Sequence, residues 1–482
     1  MKNRSDKGRF LLAQAHKIDH TIVMDKVLLA GGYGRDAAIA TRLAEQQESE
    51  LHLVAEYENP TLARTAKQTG GRLYVVESVC DGPVLADIAQ VAGADLVWIN
   101  QDNALANGVI DHIKRRVPQI LSASPQREGA RVEFDKFDSR ELVAEIDKQY
   151  GTNFNPEYYL ASTFDEIMLW TDVFRSKGKN AVVKPRGLTG GKGVKVMGKH
   201  FDTYDQVVQY AWEVVQNPGQ GGVVLEEEMQ GFEFTVQAPT DGRTLIVPPP
   251  TYDYPYREDG DVGPGTGGMG CFTIAPGDKP LPFLSSEEYQ QATWPMERVL
   301  EKLNDRNRDF KGILYGSFFK TPEGIKVVEF NARLGCPEGM NIMELQEDNV
   351  SLLGLLKRIA TGELRHKDMR FKNLASAVLY LVSPGYAYPS NSGVYDFGLN
   401  EKIITEMDCR TYFAAAESIK GIRGKYQTVG SSRTVALATT ADTPWDARKK
   451  IDNAIAAAVT GPLQYRNDVA SKDYIDQMTV SG

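Results

Sequence analysis

Residues 181–196, AVVKPRGLTGGKGVKV, decide the reading of this chain. An apolar run carrying Lys184 enters a loop with Gly187, Gly190, Gly191 and Gly193, and an extended stretch resumes at Val194. Glycines at this density let backbone N–H groups approach an anion closely and adopt positive φ, while Lys184 and Lys192 add fixed positive charge. The stretch predicts two strands joined by a loop that cradles a triphosphate, with a plain glycine-rich hairpin as the alternative. It has neither Walker A spacing nor the G-x-G-x-x-G turn that opens a helix.

Three neighbouring stretches extend that reading. Residues 223–236, VVLEEEMQGFEFTV, place Glu226, Glu227 and Glu228 after a strand, with Glu233 beyond a turn at Gly231. Carboxylates there can accept from ribose hydroxyls while hinge backbone reads an adenine edge; a solvated acidic face is the alternative. Residues 325–333, IKVVEFNAR, put Glu329, Asn331 and Arg333 two apart on a predicted strand, so they share a face. Glu329 and Asn331 offer the hard oxygens that Mg²⁺ takes, and Arg333 can pair with a phosphate. Residues 259–270, DGDVGPGTGGMG, hold six glycines in twelve positions and predict an ordered loop with amides facing a ligand, or else a flexible connector.

Towards the N-terminus the texture changes. KVLLAG (26–31), the turn Gly32–Arg35 and the helical pattern from Ala37 to Leu43 read as strand, glycine turn and helix. Further buried strands at Leu51–Ala55 and Ala94–Ile99, with helices near 60–68 and 84–92, predict a parallel α/β sheet over the first ~120 residues. A phosphate-bearing ligand belongs at the carboxyl ends of such strands. Beyond residue 374 the strands Ala375–Val382 and Arg433–Ala438 and a helix at 443–458 predict a small α+β unit. Residues 1–24 are set apart as an N-terminal extension.

Sixty-four acidic and 55 basic residues give a net charge of −9, spread along the 482 residues, so no basic face points to nucleic acid. Cys80, Cys271, Cys336 and Cys409 form no C-x-x-C pair, which argues against a disulfide framework or a zinc site. No apolar run is long enough for a membrane span and the N-terminus lacks a signal-peptide pattern, so a cytoplasmic protein is expected.

The order of these elements resembles the phosphoribosylamine–glycine ligase family of ATP-grasp enzymes. GDVGPGTGGMG together with ILYGSFF and VVEFNARLG is similar to that family's signature, and the likeness extends from the turn at Gly32–Arg35 to Gly430–Val435 and Tyr465–Asp468. The resemblance implies a Rossmann-like parallel-sheet domain at 25–120 (the pre-ATP-grasp domain), a central ATP-grasp region at 121–374 with a mobile lid at roughly 140–220, and a small C-terminal α+β domain at 375–482. It implies an amide ligation driven by ATP with Mg²⁺ or Mn²⁺, acting on glycine and phosphoribosylamine or a similar acid and amine, in a monomer or homodimer.

Residue by residue, the resemblance assigns Lys136, Lys184 and the loop Gly190, Gly191, Lys192 and Gly193 to the phosphates. Glu226 and Glu227 go to the adenine hinge, Glu233 to the ribose, and Glu329 with Asn331 to the metal. Gly32, Gly34, Arg35, Asp253, Gly267, Gly268, Met269, Arg333 and Glu338 face the reacting substrates, with Arg333, Lys192 and Asp253 the catalytic group. Departures fall on that substrate side. Arg-Asp-Ala at 35–37 stands where the family has Arg-Glu-His, and Asn100-Gln101-Asp102 where it has Gly-Pro-Glu. Asp253-Tyr254-Pro255-Tyr256 replaces Asp-His-Lys-Arg, and 335–340 reads GCPEGM against Gly-Asp-Pro-Glu-Thr-Gln. A divergent ligase for another acid–amine pair, and a silent nucleotide-binding protein, are the alternatives.

Overall fold

The structure is a computed structural model that describes residues 24–189, 193–277, 279–388 and 393–481. The expected N-terminal extension and the loop positions Gly190, Gly191 and Lys192 lie outside the described residues.

Five parallel strands form the first sheet, in the order Arg72–Val75, Ser49–Ala55, Asp25–Ala30, Leu96–Ile99 and Leu121–Ser122. The central strand, VLLA at 27–30, is wholly buried because helices cover both faces. The helix Gly34–Gln46 starts directly after the glycine turn, its first-turn Asp36 accepting from the backbone N–H of Tyr33 at 3.0 Å. Strand order reverses between Asp25–Ala30 and Leu96–Ile99, so the crevice lies at the turns following these two strands, at Gly31–Arg35 and Asn100–Asp102.

A four-stranded antiparallel sheet (Tyr158–Ala161, Val223–Glu227, Ala181–Pro185, Lys195–Val196) carries the helices Phe164–Lys177 and Tyr204–Gln216 on one face. Both helices begin with Thr capping boxes, Thr163 with Glu166 and Thr203 with Gln206. Ala161, Val183, Val223 and Leu225 pack beneath them in a hydrophobic core of their own. A three-stranded antiparallel sheet follows, ordered Phe232–Thr240, Gly312–Thr321, Gly324–Asn331.

The fourth sheet depends on non-local pairing. One five-stranded sheet joins Tyr252–Asp253 and Gly270–Thr273 to Ala375–Leu381, Val435–Ala441 and Arg410–Phe413. Strands from the glycine-rich middle of the chain thereby share a sheet with the C-terminal segment. Between them Tyr256–Glu258 and Val262–Gly265 pair as a short hairpin, so part of the glycine-rich stretch is extended structure and not loop. A smaller four-stranded sheet completes the C-terminal part. All four cysteines are free thiols, and no helix among the described residues is long and apolar enough to cross a membrane.

Candidate functional site

The floor of the cleft is one face of the three-stranded sheet. Phe234, Val236, Leu314, Phe318, Ile325, Val327 and Phe330 form the opposite, buried face. Val327 and Phe330 are three residues apart, an interval that strict alternation forbids. The ladder pairs Ser317 with Glu329 but Phe318 with Val327, leaving Val328 as an extra residue in a β-bulge. That insertion returns Phe330 to the core and turns Glu329 and Asn331 into the cleft. There Asn331 Nδ2 donates to Glu329 Oε1 at 3.2 Å, and the amide oxygen accepts no hydrogen bond among the described residues. Ser317 Oγ donates to Glu233 Oε1 at 2.5 Å across the same face.

Opposite this floor stands the sheet that carries Lys184. Lys184 and Glu226 point away from their own sheet's core, and Lys184 Nζ lies 2.6 Å from Glu226 Oε2. Arg140 Nε meets Glu226 Oε1 at 2.6 Å and its Nη atoms donate to the carbonyls of Val327 and Val328, the bulge itself. Burial pushes the Glu226 carboxyl up, but Arg140 and Lys184 outweigh it and hold the group below the usual range. Glu226 therefore sits in an internal ion-pair triad, its side chain already engaged. Glu227 is tied to Lys179 at 2.5 Å and accepts from the backbone of Glu157 at 2.8 Å. Lys136 Nζ donates to the carbonyl of Gly187 at 3.2 Å; burial lowers its pKa against the opposing pull of Glu329. Gly193 is braced by Thr189, and its carbonyl accepts from Tyr210 Oη at 2.8 Å.

At the far end the cleft meets the first sheet's crevice. Arg333 lies past the end of its strand and does not continue the Glu329–Asn331 row: its Nε is 3.1 Å from Glu133 Oε1 and its Nη2 3.9 Å from Asp102 Oδ2. The Glu133 contact is a close charge pair without hydrogen-bond alignment, and both atoms lack a partner of good geometry. Gln101 Nε2 donates to Asp36 Oδ2 at 3.3 Å, and burial lifts Asp36 to about 6. Tyr315 Oη donates to Glu338 Oε1 at 3.0 Å, while Gln237 Oε1 accepts from Gly335 N at 2.6 Å. Asp253 is pushed well above the usual carboxylate range by burial and by neighbouring Glu338. A Cβ on Gly268, at φ +96°, would lie 2.5 Å from Asp253 Oδ1, so only glycine lets this turn close over the carboxylate.

Of the remaining sequence candidates, Gly32 accepts from Tyr57 and Asn59, and Gly34 packs against Tyr380 with no room for a side chain. Met269 is fully buried, and its backbone N–H and C=O are both spent in sheet bonds to Tyr254 and Tyr380. Its side chain belongs to a core cluster and not to the cleft. Arg140, Glu133, Tyr315, Ser317, Gln237 and Arg433 were not picked out from the sequence. Only Arg140, one helical turn after Lys136, carried a local signal.

Thirteen buried side-chain nitrogens and oxygens among the described residues lack a hydrogen-bond partner, and seven of them belong to this end: Arg35 Nε, Asp36 Oδ1, Asn100 Nδ2, Glu133 Oε1, Gln237 Nε2, Asp253 Oδ1 and Arg333 Nε. Such atoms are rare in folded proteins; Glu133 Oε1 and Arg333 Nε face each other at 3.1 Å, and the other five are the ones a bound molecule would partner. The Glu329–Asn331 donor set is all oxygen and suits Mg²⁺. No group of three or more His, Cys, Asp or Glu that could hold a metal occurs among the described residues.

Comparison with known proteins gives a consistent picture. The sequence model described as phosphoribosylglycinamide synthetase, N domain, matches residues 25–133, and that for the ATP-grasp (A) domain matches 147–339. Phosphoribosylamine–glycine ligase of Pyrococcus furiosus is 35% identical over 458 residues, covering 94% of this chain and 96% of the relative. The enzyme of the same name from Methanothermobacter thermautotrophicus is 34% identical over 454 residues, 94% and 98% of the two chains. The solved phosphoribosylamine–glycine ligase of Thermotoga maritima superposes with a TM-score of 0.71 at 22% identity, covering 92% of this chain and 99% of that one. A biotin carboxylase domain from Hydrogenobacter thermophilus, solved with MgADP, ADP and bicarbonate, gives 0.66 at 15% identity, covering 94% and 93%.

Proposed function

Because the chain belongs to the phosphoribosylglycinamide synthetase family, we propose that it joins glycine to 5-phosphoribosylamine, forming glycinamide ribonucleotide, ADP and phosphate in purine synthesis. A glycine carboxylate oxygen attacks the γ-phosphorus of ATP and ADP leaves. The amine of phosphoribosylamine then attacks the carbonyl of the glycyl phosphate, loses a proton and expels phosphate. The observation that carries this reading is the continuous polar floor Glu233–Ser317–Glu329–Asn331, faced by Lys136 and Lys184 and leading to the unpartnered groups around Asp253 and Arg333.

In this reading Lys136, Lys184 and Gly193, with Gly190, Gly191 and Lys192, hold the triphosphate by charge and backbone amides. Glu226 acts through Lys184, which it fixes in place, while the chain leaving the sheet after Glu228 serves the adenine and Glu233 the ribose. Glu329 and Asn331 hold Mg²⁺, with Mn²⁺ as a substitute. When bound, the metal neutralises charge on the β- and γ-phosphates. Asp253 and Glu338 suit the ammonium end of an amino acid, and Arg333 the negative charge that builds on the acyl phosphate. No protein nucleophile is needed; positioning and fixed charge supply the catalysis. The lid, roughly residues 140–220, closes over the rest of the ATP-grasp region, shielding the acyl phosphate from water. Assignment to the cytoplasm, as a monomer or homodimer, is part of the same proposal.

The departures from the family's wording favour a second reading in which the acid or amine differs. Four altered positions are wired to one another or to the site: Asp36 to Gln101, Asp102 to Arg333, and Cys336 Sγ to Tyr380 Oη at 3.1 Å. ADP release with glycine and freshly generated phosphoribosylamine, against a panel of other amino acids and amines, separates the two. Release with glycine and phosphoribosylamine supports the first; background release there beside robust release with another pair establishes the second.

A further inference from the structure

Seven arginines are buried among the described residues. Arg42, Arg140, Arg257, Arg448 and Arg466 each pair with a carboxylate at 2.6–3.5 Å. Arg35 and Arg433 pair with none among the described residues. A buried guanidinium with no carboxylate in contact is costly, and Asp36 acts on Arg35, and Asp253 on Arg433, only from beyond ion-pair distance.

Both hold the same loop. Arg35 Nη1 donates to the carbonyl of Leu334 at 2.9 Å, and Arg433 Nη1 to that of Cys336 at 2.6 Å. Arg433 Nη1 also contacts Gly268 O at 3.0 Å and Gly267 O. Arg35 arrives from the turn after the first strand, Arg433 from the segment preceding the strand Val435–Ala441, some 400 residues away in sequence and next to it in space. Tyr380 joins them: Arg433 Cζ lies 4.6 Å from its ring centroid, and a Cβ on Gly34 would lie 2.3 Å from its hydroxyl.

The donors left over are what matter. All the Arg433 hydrogen bonds use Nη1, so Nε and Nη2 donate to no group among the described residues. Arg35 Nε is buried and likewise without a partner. Nη2 of Arg433 stands against Gly267, where a Cβ would come within 2.9 Å, so the glycine leaves that donor open. A guanidinium with two adjacent free N–H groups presents the fork that fits a carboxylate or phosphate.

We propose that Arg433 is a substrate-binding residue, forming with Arg35 a two-guanidinium site for an anionic group of a substrate, either a carboxylate or a phosphate monoester. The C-terminal sheet thereby contributes directly to the reaction cleft. The assignment rests on the ligase reading only in that one substrate there carries a carboxylate and the other a phosphate monoester.

Titration calorimetry with glycine, with ribose 5-phosphate and with a non-hydrolysable ATP analogue, on the wild-type chain, Arg433→Gln and Arg433→Lys, tests it. The expected result is at least tenfold weaker binding of glycine or of ribose 5-phosphate to Arg433→Gln, with partial recovery in Arg433→Lys and nucleotide binding within twofold of wild type. Whichever ligand is weakened names the source of the anion. Should Arg433→Gln not fold, Arg433→Lys carries the test, since it keeps the charge and loses the fork. Equal weakening of all three ligands, unchanged binding of both anions, or no binding of either anion to wild type overturns the assignment. Turnover measured in parallel keeps the readings apart: wild type that binds the anions but forms no product contradicts the ligase reading alone.

Discussion

Replacing Glu226 with Gln keeps its shape and removes its charge, leaving Lys184 and Arg140 facing each other inside the protein. Both cations lie 2.6 Å from the carboxylate, and Glu226 is 1% exposed. Removing one member of a buried ion pair costs about 3–5 kcal/mol, and the amide retains one acceptor, so the lower end, about 3 kcal/mol, is expected. That is roughly a 150-fold change in a folding equilibrium. The sign with pH follows from the depressed pKa. The wild-type contribution is present above the unfolded carboxyl value of about 4.3 and is lost as pH falls through the lower folded value. The gap between wild type and Glu226→Gln should therefore be widest near pH 7 and close under acid. Urea denaturation followed by tryptophan fluorescence measures this, since Trp170 stacks on Tyr159 at 4.3 Å within the same unit. ATP affinity should fall in parallel as Lys184 loses its anchor. A Glu226→Gln chain within 0.5 kcal/mol of wild type at pH 7, with unchanged nucleotide affinity, would refute the triad as the holder of Lys184 (a surface substitution typically moves stability by no more than about that amount).

Three further outcomes follow from the geometry. Glu329→Ala should abolish metal-dependent ADP release while leaving the thermal midpoint within a few degrees; full activity would remove the metal assignment. Asp36 titrates near 6, above its unfolded value of about 3.9, so folding favours its protonated form and its destabilising effect appears as pH rises through 4–6. Asp36→Asn should gain on wild type by up to about 3 kcal/mol as pH rises to 7, and a stability difference flat with pH contradicts the burial argument. Gly268→Ala, forced into positive φ and against Asp253 Oδ1, should cost at least about 1 kcal/mol and reduce turnover more than tenfold; wild-type kinetics there would show that the turn is not closed over Asp253.

Much of this architecture was legible before any coordinates. VLLA at 27–30 and LVWI at 96–99 are continuous apolar runs that only a doubly covered parallel sheet explains, and the glycine turn with the helix after it marks the crevice. The glycine–lysine loop proposed for the phosphates and the Glu-x-Asn pair stand out in the sequence because their pattern is local. What local pattern could not carry is distance: Arg140 reaches Glu226 across 86 residues, and Arg433 reaches Cys336 across 97. The bulge at Val328 reads in sequence only as broken alternation, and the partner strand decides which side each residue faces. Met269 misleads because its glycine-rich surroundings suggest a ligand loop, whereas Gly270 already lies in a sheet and pulls Met269 into the core. Arg333 continues the two-residue spacing of Glu329 and Asn331, but the strand ends at Asn331 and the charge turns towards Glu133.

The central claim is that a substrate carboxylate is phosphorylated by ATP and then taken by an amine. Glycine labelled with ¹⁸O in both carboxylate oxygens, incubated with the chain, ATP, Mg²⁺ and phosphoribosylamine, tests it in one measurement: the mass of the released phosphate. The account predicts one ¹⁸O in each phosphate, the other staying in the amide carbonyl of the product. Phosphate that forms with product yet carries no ¹⁸O would contradict it.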